Sequence, residues 1–281
     1  MEVEPIDATL GAVITGLRLA SIDDDVFGAI EEAFHTYAVL VFPGQHLTQQ
    51  EQVAFARHFG ELERLAGELE AVPLANVSGE GEVFGADHPV MAILRGNSGW
   101  HTDSSYMPVS AKASALSAHV VHAEAGGTEW ADMRAAYDAL DDQTKALIEG
   151  RSAAHSIRYS QQRAGEHQVA GYGFDVDVPP RRPLVKVHPV TGRKALFVGR
   201  HAHAVDGMTS EESEALLDRL VDFACQPPRR YTHKWTGGDV ALWDNRCVLH
   251  RAEPWAWDRP RIMVHTRIAG DPVTEAAMAV C

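Results

Sequence analysis

The chain has 281 residues, of which 45% are hydrophobic and 23% are charged. These proportions are typical of globular proteins and exclude a disordered or collagen-like chain. The formal net charge is −14, from 25 Lys and Arg residues against 39 Asp and Glu residues. Such an acidic chain is a poor partner for nucleic acid or an anionic membrane, and we expect neither.

Cysteine usage and hydropathy favour a cytoplasmic protein. The three cysteines form no CxxC pair, which argues against a disulfide framework or a structural zinc site. No secretory pattern stands at the N-terminus, and no apolar run reaches the roughly 18 residues of a membrane span. We also expect a homo-oligomer.

The hydrophobic pattern, taken along the chain, predicts several helices and many short strands. Helices are expected over 25–37, from the capping box at Thr48 to Gly60, over 132–150, and from the capping box at Thr209. Strands are expected over 38–42, 184–187, 195–198, 231–235, 240–243 and 262–268. This order has no regular βαβ alternation and no linker. It predicts a single domain over 1–281, a β-sandwich or barrel flanked by helices.

Two segments are expected to set substrate choice. Residues 61–90 carry Gly, Pro, Ser and acidic residues with weak periodicity, which predicts a long surface loop acting as a lid. The stretch from Tyr159 to Tyr172 is the second, because loops around a site commonly vary with the ligand.

The run Gly99-Trp-His101-Thr-Asp103 carries the sharpest chemical signal. In a strand, residues two apart share a face, so an imidazole and a carboxylate would lie side by side. One distant histidine would complete a 2-His-1-carboxylate triad, which binds Fe(II) and leaves open positions for substrate and O₂. His250, after the predicted strand 240–243, is the candidate for that ligand.

The strand Arg261-Ile-Met-Val-His-Thr-Arg267 adds basic side chains. Alternation places Arg261, Met263, His265 and Arg267 on one face. The forked guanidinium of arginine suits carboxylates. A metal with open positions beside such a group indicates a keto-acid co-substrate.

The pattern of His101-x-Asp103, His250 and Arg261 resembles the taurine dioxygenase/2,4-dichlorophenoxyacetate dioxygenase (TauD/TfdA) family of Fe(II)- and 2-oxoglutarate-dependent oxygenases. The resemblance covers nearly the whole chain. It is closest to aryloxyalkanoate dioxygenases that act on (S)-2-phenoxypropionate herbicides, through the segments 132–140, 199–203 and 243–247. It implies a distorted double-stranded β-helix (jelly roll) with helical insertions.

The resemblance also implies residue roles. Fe(II) would be held by His101, Asp103 and His250, and 2-oxoglutarate by Arg261 and Thr128, with Asn97 facing substrate and co-substrate. Many family members carry an arginine fifteen residues after the distal histidine to bind the substrate anion, whereas this chain has His265 there and Arg267 two residues later. His265 and Arg267 are therefore candidate anchors. His201 and His203 are assigned to the substrate pocket, or to plain surface, rather than to a metal.

The implied reaction is hydroxylation of a small anionic substrate, with 2-oxoglutarate and O₂ converted to succinate and CO₂. An aryloxyalkanoate acid would be cleaved to a phenol and a keto acid. Within the same family, a sulfonate, a sulfate ester or a natural-product intermediate is an alternative substrate. A cupin-like metal-binding protein without redox turnover is the alternative from another class, and Arg261 argues against it because such a site needs no carboxylate-binding group.

Overall fold

The computed structural model describes residues 1–65, 67–122, 125–165 and 176–279. Its helices are α1 (Asp24–Tyr37), α2 (Gln49–Arg57), α3 (Pro89–Gly96), α4 (Met133–Ala139), α5 (Asp142–Ile148), α6 (Ile157–Arg163) and α7 (Ser210–Ala224). Its strands are β1 (Glu2–Pro5), β2 (Ala12–Thr15), β3 (Val39–Phe42), β4 (Ala71–Ala75), β5 (Ala113–Val120), β6 (Thr128–Asp132), β7 (Ser152–His155), β8 (Arg181–Pro183), β9 (Val185–Val187), β10 (Lys194–Leu196), β11 (Ala202–His203), β12 (Arg230–His233), β13 (Val240–Asp244), β14 (Val248–Ala252) and β15 (Ile262–Ile268).

A seven-stranded sheet, ordered β1-β2-β3-β13-β5-β15-β4, forms the main wall of the molecule. All its pairings are antiparallel except that of β2 with β3. Strands β3 and β13 at its centre are buried along their whole length, because both faces of the sheet are covered there. Leu40 and Leu242 belong to the hydrophobic core between the sheet and helices α1 and α2. Val41 and Trp243 belong to a second core on the opposite face of the sheet.

Three smaller sheets complete the β-structure of the described residues. Their orders are β12-β6-β14, β11-β7-β8 and β10-β9. In the first, His250 of β14 stands opposite Trp130 of β6. Trp130 lies 5.8 Å from Trp243 of the large sheet, ring centroid to ring centroid. The indole pair therefore packs the wall that carries the distal histidine against the large sheet.

The predicted capping boxes are confirmed. Thr48 and Glu51 exchange side-chain and backbone hydrogen bonds at the start of α2, and Thr209 and Glu212 do the same at α7. The single helix predicted over 132–150 is wrong, because Asp141 accepts a hydrogen bond from the backbone of Thr144 and starts a second helix, α5. None of the described helices combines the length and the hydropathy needed to cross a bilayer.

The segment 61–90 is less irregular than its composition suggests. It contains β4, an edge strand that pairs with β15, and its last two residues begin α3. Pro73 lies opposite Val264 in that pairing. Proline in a strand is tolerated at a sheet edge, and it weakens the sequence signal for a strand. The role of this segment as a lid stays a prediction.

Candidate metal centre

Two distant chain segments meet at an isolated β-bridge between His101 and His250. The backbone N–H of His101 donates to the carbonyl of His250 at 2.9 Å, and the reverse bond is 2.8 Å long. The two ring centroids are 4.1 Å apart. The bridge places the two imidazoles side by side although His101 and His250 are far apart in the sequence.

Asp103 reaches the site by a different route from the predicted one. Residues 99–103 are not a strand, since only His101 forms a bridge and Asp103 lies in a turn. Ser104 follows with a φ of 56°, in the left-handed region, so the chain bends sharply after the carboxylate. The turn, rather than strand alternation, brings Asp103 beside the imidazoles.

His101, Asp103 and His250 are all buried, and each offers a donor atom within 4.8 Å of the other two. His101 Nδ1 lies 2.8 Å from the carbonyl of Gly99, which leaves Nε2 for a metal. His250 Nε2 is 3.6 Å from Asp103 Oδ2, too long for a hydrogen bond, and His250 Nδ1 has no hydrogen-bond partner. Nitrogen atoms without partners beside a carboxylate fit an Fe(II) ion.

The protonation states also fit a metal site. Burial lowers the pKa of His101 to about 4 and holds the pKa of His250 well below its usual value. Burial alone would raise the pKa of Asp103, but Arg267, His250 and His265 outweigh it and hold that pKa well below the usual value. Both imidazoles are thus neutral and the carboxyl is ionised, which are the forms that bind metal.

Surrounding side chains hold the Asp103 carboxylate in place. Ser114 Oγ donates to Oδ2 at 2.7 Å, and Arg267 Nη2 lies 2.9 Å from Oδ1. The backbone N–H of Asp103 donates to Asn245 Oδ1 at 3.3 Å. Sequence reasoning missed Ser114 and Asn245. Small polar residues in an apolar strand, and an asparagine after one, were the only signals available.

A pocket opens at the three candidate ligands. It is also lined by Asn97, Thr128, Arg261, His265 and Arg267, and by an apolar wall of Leu74, Ile93, Leu94, Leu116, Trp243, Ala252 and Trp255. The pocket therefore combines metal donors and basic groups with a large apolar surface.

The Arg261 guanidinium uses only part of its hydrogen-bonding capacity within the fold. Its Nη2 donates to the carbonyl of Gly126 at 2.9 Å, and its guanidinium stacks 4.7 Å from the Trp255 ring centroid. Nε is buried without a hydrogen-bond partner. Burial lowers the pKa of Arg261 to about 10, so the side chain is still charged at neutral pH. A carboxylate brought into the pocket would supply the missing counter-charge.

Thr128 and Asn97 lie at two other places in the pocket wall. Thr128 Oγ1 accepts a hydrogen bond from Trp235 Nε1 at 2.9 Å, which leaves its own O–H to donate. Asn97 ends α3, and its carbonyl accepts from the backbone of Ala252 at 2.8 Å. These contacts tie Asn97 to the strand that carries His250.

The four predicted substrate residues divide into two pairs. His265 and Arg267 line the pocket, but both also face Asp103, at 3.4 Å from Oδ2 and 2.9 Å from Oδ1. His201 and His203 are not among the pocket-lining residues. His201 Nδ1 contacts Ser160 Oγ at 2.8 Å, and His203 stacks on Tyr159 with centroids 4.5 Å apart. A substrate role for any of the four stays a prediction.

The sequence matches the family model described as "Taurine catabolism dioxygenase TauD, TfdA family" over residues 2–267. The chain belongs to the TauD/TfdA family. The family prediction is thereby confirmed.

Two curated relatives of this TauD/TfdA member are named (S)-phenoxypropionate/alpha-ketoglutarate-dioxygenase. That of Sphingobium herbicidovorans is 51% identical over 99% of this chain and 98% of its own. That of Delftia acidovorans is 50% identical over 100% of this chain and 99% of its own. A crystal structure of AAD-2 in complex with Mn(II) and N-oxalylglycine superposes with a TM-score of 0.91 at 36% identity, covering 99% of both chains. The protein is accordingly an Fe(II)- and 2-oxoglutarate-dependent dioxygenase.

Proposed function

We propose that this dioxygenase cleaves 2-aryloxypropionate acids to a phenol and a keto acid. The observation that carries the proposal is a sequence identity of 50–51%, over essentially the whole chain, with two (S)-phenoxypropionate dioxygenases. The pocket supports it, because the apolar wall suits an aryl ring and the basic groups suit carboxylates. We infer an anionic small-molecule substrate for this reason.

The roles proposed for the ligands follow from their contacts. His101, Asp103 and His250 would hold Fe(II), which supplies the activation of O₂ coupled to decarboxylation of 2-oxoglutarate. Ser114 and Arg267 keep the Asp103 carboxylate oriented toward the imidazoles.

Arg261 and Thr128 would bind the far carboxylate of 2-oxoglutarate. The Arg261 guanidinium is fixed by Gly126 and Trp255, so little rotamer freedom is lost when it pairs with the diacid. The surrounding indole and aliphatic side chains keep water away from the pair. Exclusion of water strengthens the charge pairing and restricts the oxidation to the bound substrate.

The products follow from the position of the hydroxyl group. Hydroxylation at the carbon that bears the ether oxygen gives a hemiketal. The bond from that carbon to the phenolic oxygen then breaks, the hydroxyl proton moves to the leaving oxygen, and a 2-keto acid remains. For 2-phenoxypropionate the products are phenol and pyruvate, with succinate and CO₂ from the co-substrate.

Several broader predictions belong with this proposal. We infer that the seven-stranded sheet and the sheet β12-β6-β14 are the two walls of a distorted jelly roll, because the His101–His250 bridge joins segments at the pocket between them. We also infer that 1–281 is one domain, and that the protein is a cytoplasmic homo-oligomer.

The test is product formation by the iron-loaded enzyme under air. Phenol and succinate should appear in equal amounts from 2-oxoglutarate and one enantiomer of 2-phenoxypropionate, with ascorbate present. Taurine and an alkyl sulfate serve as comparison substrates. If taurine or the alkyl sulfate stimulates succinate release and no aryloxy acid yields phenol, the substrate is a sulfonate or a sulfate ester instead. No phenol and no substrate-coupled succinate from any of these compounds would contradict the proposed substrate class.

A further inference from the structure

The two oxygens of the Asp103 carboxylate are held by two different sets of hydrogen bonds. In the first set, which we call the inner network, Ser114 Oγ donates to Oδ2 at 2.7 Å and accepts from Asn245 Nδ2 at 2.8 Å. All three residues of the inner network are buried. The other oxygen, Oδ1, lies 2.9 Å from Arg267 Nη2 and is therefore held by a cation.

A second set, the outer network, runs from Arg267 through Ser104 to Glu63. Arg267 Nη1 donates to Ser104 Oγ at 3.3 Å, and Ser104 Oγ donates to Glu63 Oε2 at 2.6 Å. A serine hydroxyl has one hydrogen, and here that hydrogen is directed at the Glu63 carboxylate. A lone pair of the same oxygen is then available to Arg267. Glu63 thus sets the direction in which Ser104 accepts.

The backbone of Ser104 indicates that its side chain is used. Its φ of 56° lies in the left-handed region, which costs a residue other than glycine on the order of 1 kcal/mol or more. Such a conformation persists where the surrounding structure holds it. Ser104 is buried, and its hydrogen bonds to Arg267 and Glu63 are contacts of this kind.

Glu63 is attached to β15 by its backbone as well. Its N–H donates to the carbonyl of Arg267 at 2.9 Å, and the neighbouring Leu62 forms a β-bridge with Ile268. Glu63 is half-buried and is not among the residues that line the pocket. Its backbone and its carboxylate are therefore both directed at the arginine that contacts Asp103.

Resting on the ligand roles proposed above, we propose that Glu63 is a positioning residue of the metal centre. Through Ser104 it fixes the Arg267 guanidinium on Oδ1 of the Asp103 carboxylate. The other oxygen, Oδ2, is left facing the imidazole of His250, 3.6 Å from Nε2. Without Glu63 the guanidinium can shift along the carboxylate and compete with a metal ion for Oδ2, because both cations are attracted to the same two oxygens.

The test is Mn(II) affinity, measured by competition with a chelator in the absence of substrate. Glu63→Ala should weaken Mn(II) binding about 10-fold, the lower end of the range typical for loss of an outer partner of a metal ligand. Glu63→Gln keeps an acceptor for the Ser104 hydroxyl and should stay within about threefold of the wild type. The matched control is Glu61→Ala, which removes the same charge from an exposed position and should resemble the wild type. Thermal melting checks that each variant is folded.

A double-mutant cycle tests whether Glu63 acts through Ser104. Ser104→Gly removes the hydroxyl without adding strain, because glycine adopts a positive φ freely. It should weaken Mn(II) binding as Glu63→Ala does, and the double variant should bind no more weakly than the weaker single variant. Additive losses would overturn the outer network as the route of the effect.

Cobalt substitution gives a readout that a general loss of stability does not move. The visible absorption of protein-bound Co(II) reports the geometry of its ligands. Saturated with Co(II), Glu63→Ala should give a spectrum different from that of the wild type, whereas Glu63→Gln and Glu61→Ala should reproduce the wild-type spectrum. An unchanged spectrum with unchanged Mn(II) affinity in Glu63→Ala would overturn the positioning role.

The outcomes distinguish this inference from the ligand assignment. Unchanged metal binding in folded Glu63→Ala, together with loss of metal in Asp103→Asn, would overturn the role of Glu63 and leave the triad in place. Equal losses in Glu63→Ala and Glu63→Gln would also overturn it, since they would show an effect of charge and not of the hydrogen bond. No Mn(II) binding by the wild type would overturn the ligand assignment and this inference with it.

Discussion

Two buried clusters in this protein look alike in composition and differ in what their atoms are doing. We call them the iron cluster and the His188 cluster. In each, three potential donors lie within 4.8 Å of one another; the iron cluster is His101, Asp103 and His250, and the His188 cluster is His188, Asp244 and Cys247. A search for metal sites by proximity alone would treat them as equals.

The histidine of the His188 cluster has no free nitrogen. His188 Nε2 lies 2.9 Å from Asp244 Oδ2, and Nδ1 accepts backbone hydrogen bonds from Val190 and Thr191 at 3.2 and 3.1 Å. In the iron cluster, by contrast, Nε2 of His250 has no partner closer than the 3.6 Å to Asp103. A nitrogen that is already hydrogen-bonded on both sides must lose those bonds before it can bind a metal.

The remaining donors of the His188 cluster are also unavailable. Arg246 holds both oxygens of Asp244, with Nε at 2.8 Å and Nη2 at 2.6 Å. Burial raises the pKa of the Cys247 thiol well above its usual value, so no thiolate forms. We conclude that the iron cluster is built for a ligand from outside, and the His188 cluster for the stability of the fold.

The largest effect is expected from Asp103→Asn. The amide keeps the shape of the side chain and can still accept from Arg267, but it removes the negative charge that the metal requires. We expect bound iron to be lost and substrate-coupled succinate release to fall about 1,000-fold or more, equivalent to about 4 kcal/mol. Metal analysis and turnover are the measurements. Normal iron content with full activity would remove Asp103 from the triad.

Asp244→Ala should have the opposite effect to Asp103→Asn, with a loss of stability and no loss of iron. Loss of the carboxylate leaves Arg246 buried without a counter-charge, so we expect unfolding to become easier by about 3–5 kcal/mol. Iron content per folded chain should not change. Denaturant unfolding and metal analysis on the same samples provide the check, and loss of iron with little loss of stability would invert our assignment of the two clusters.

The stability lost in Asp244→Ala should depend on pH. Burial alone would raise the pKa of Asp244, but Arg246 and His188 outweigh it and hold that pKa below the usual value. The stability from this carboxylate is therefore fully present above the unfolded pKa of about 3.9 and is lost as pH falls toward the folded pKa. The difference between wild type and Asp244→Ala should shrink below about pH 4. A constant difference down to the acid limit would contradict the pairing.

Arg261→Ala tests the co-substrate side of the iron cluster. Removing a buried partner of the 2-oxoglutarate carboxylate should raise the Kd for 2-oxoglutarate by the equivalent of about 2–5 kcal/mol. Arg219→Ala is the matched control on the surface. Titration of the Mn(II)-loaded protein with 2-oxoglutarate gives the value directly, and an unchanged Kd would discredit Arg261 as the diacid-binding group.

Arg267→Gln should have the smallest of these effects. Arg267 contacts Asp103 Oδ1 from outside the triad, and loss of such an orienting partner typically weakens metal binding about 10- to 100-fold. Competition with a chelator measures the iron affinity. If instead only the substrate KM rises while iron affinity is unchanged, Arg267 acts as a substrate anchor and not through Asp103.

Local signals predicted much of the scaffold. The capping boxes at Thr48 and Thr209 mark helix starts because each fills backbone hydrogen bonds that a helix end leaves open. The apolar run before Pro43 marks β3, which is buried on both faces. The prediction failed where a local pattern was ambiguous, at the break between α4 and α5 and at the edge strand β4.

The sequence by itself determined the kinds of donor present, a His-x-Asp pair, a distant histidine and a strand with arginines, and hence the family and its cofactors. Only the tertiary structure decided which donor atoms stay unused. It paired Arg267 with Asp103, satisfied His188 within the fold and left Arg261 without a carboxylate partner among the described residues. The physical reason is that hydrogen bonds and counter-charges at a site come from segments far apart in the chain, whose meeting no local pattern records.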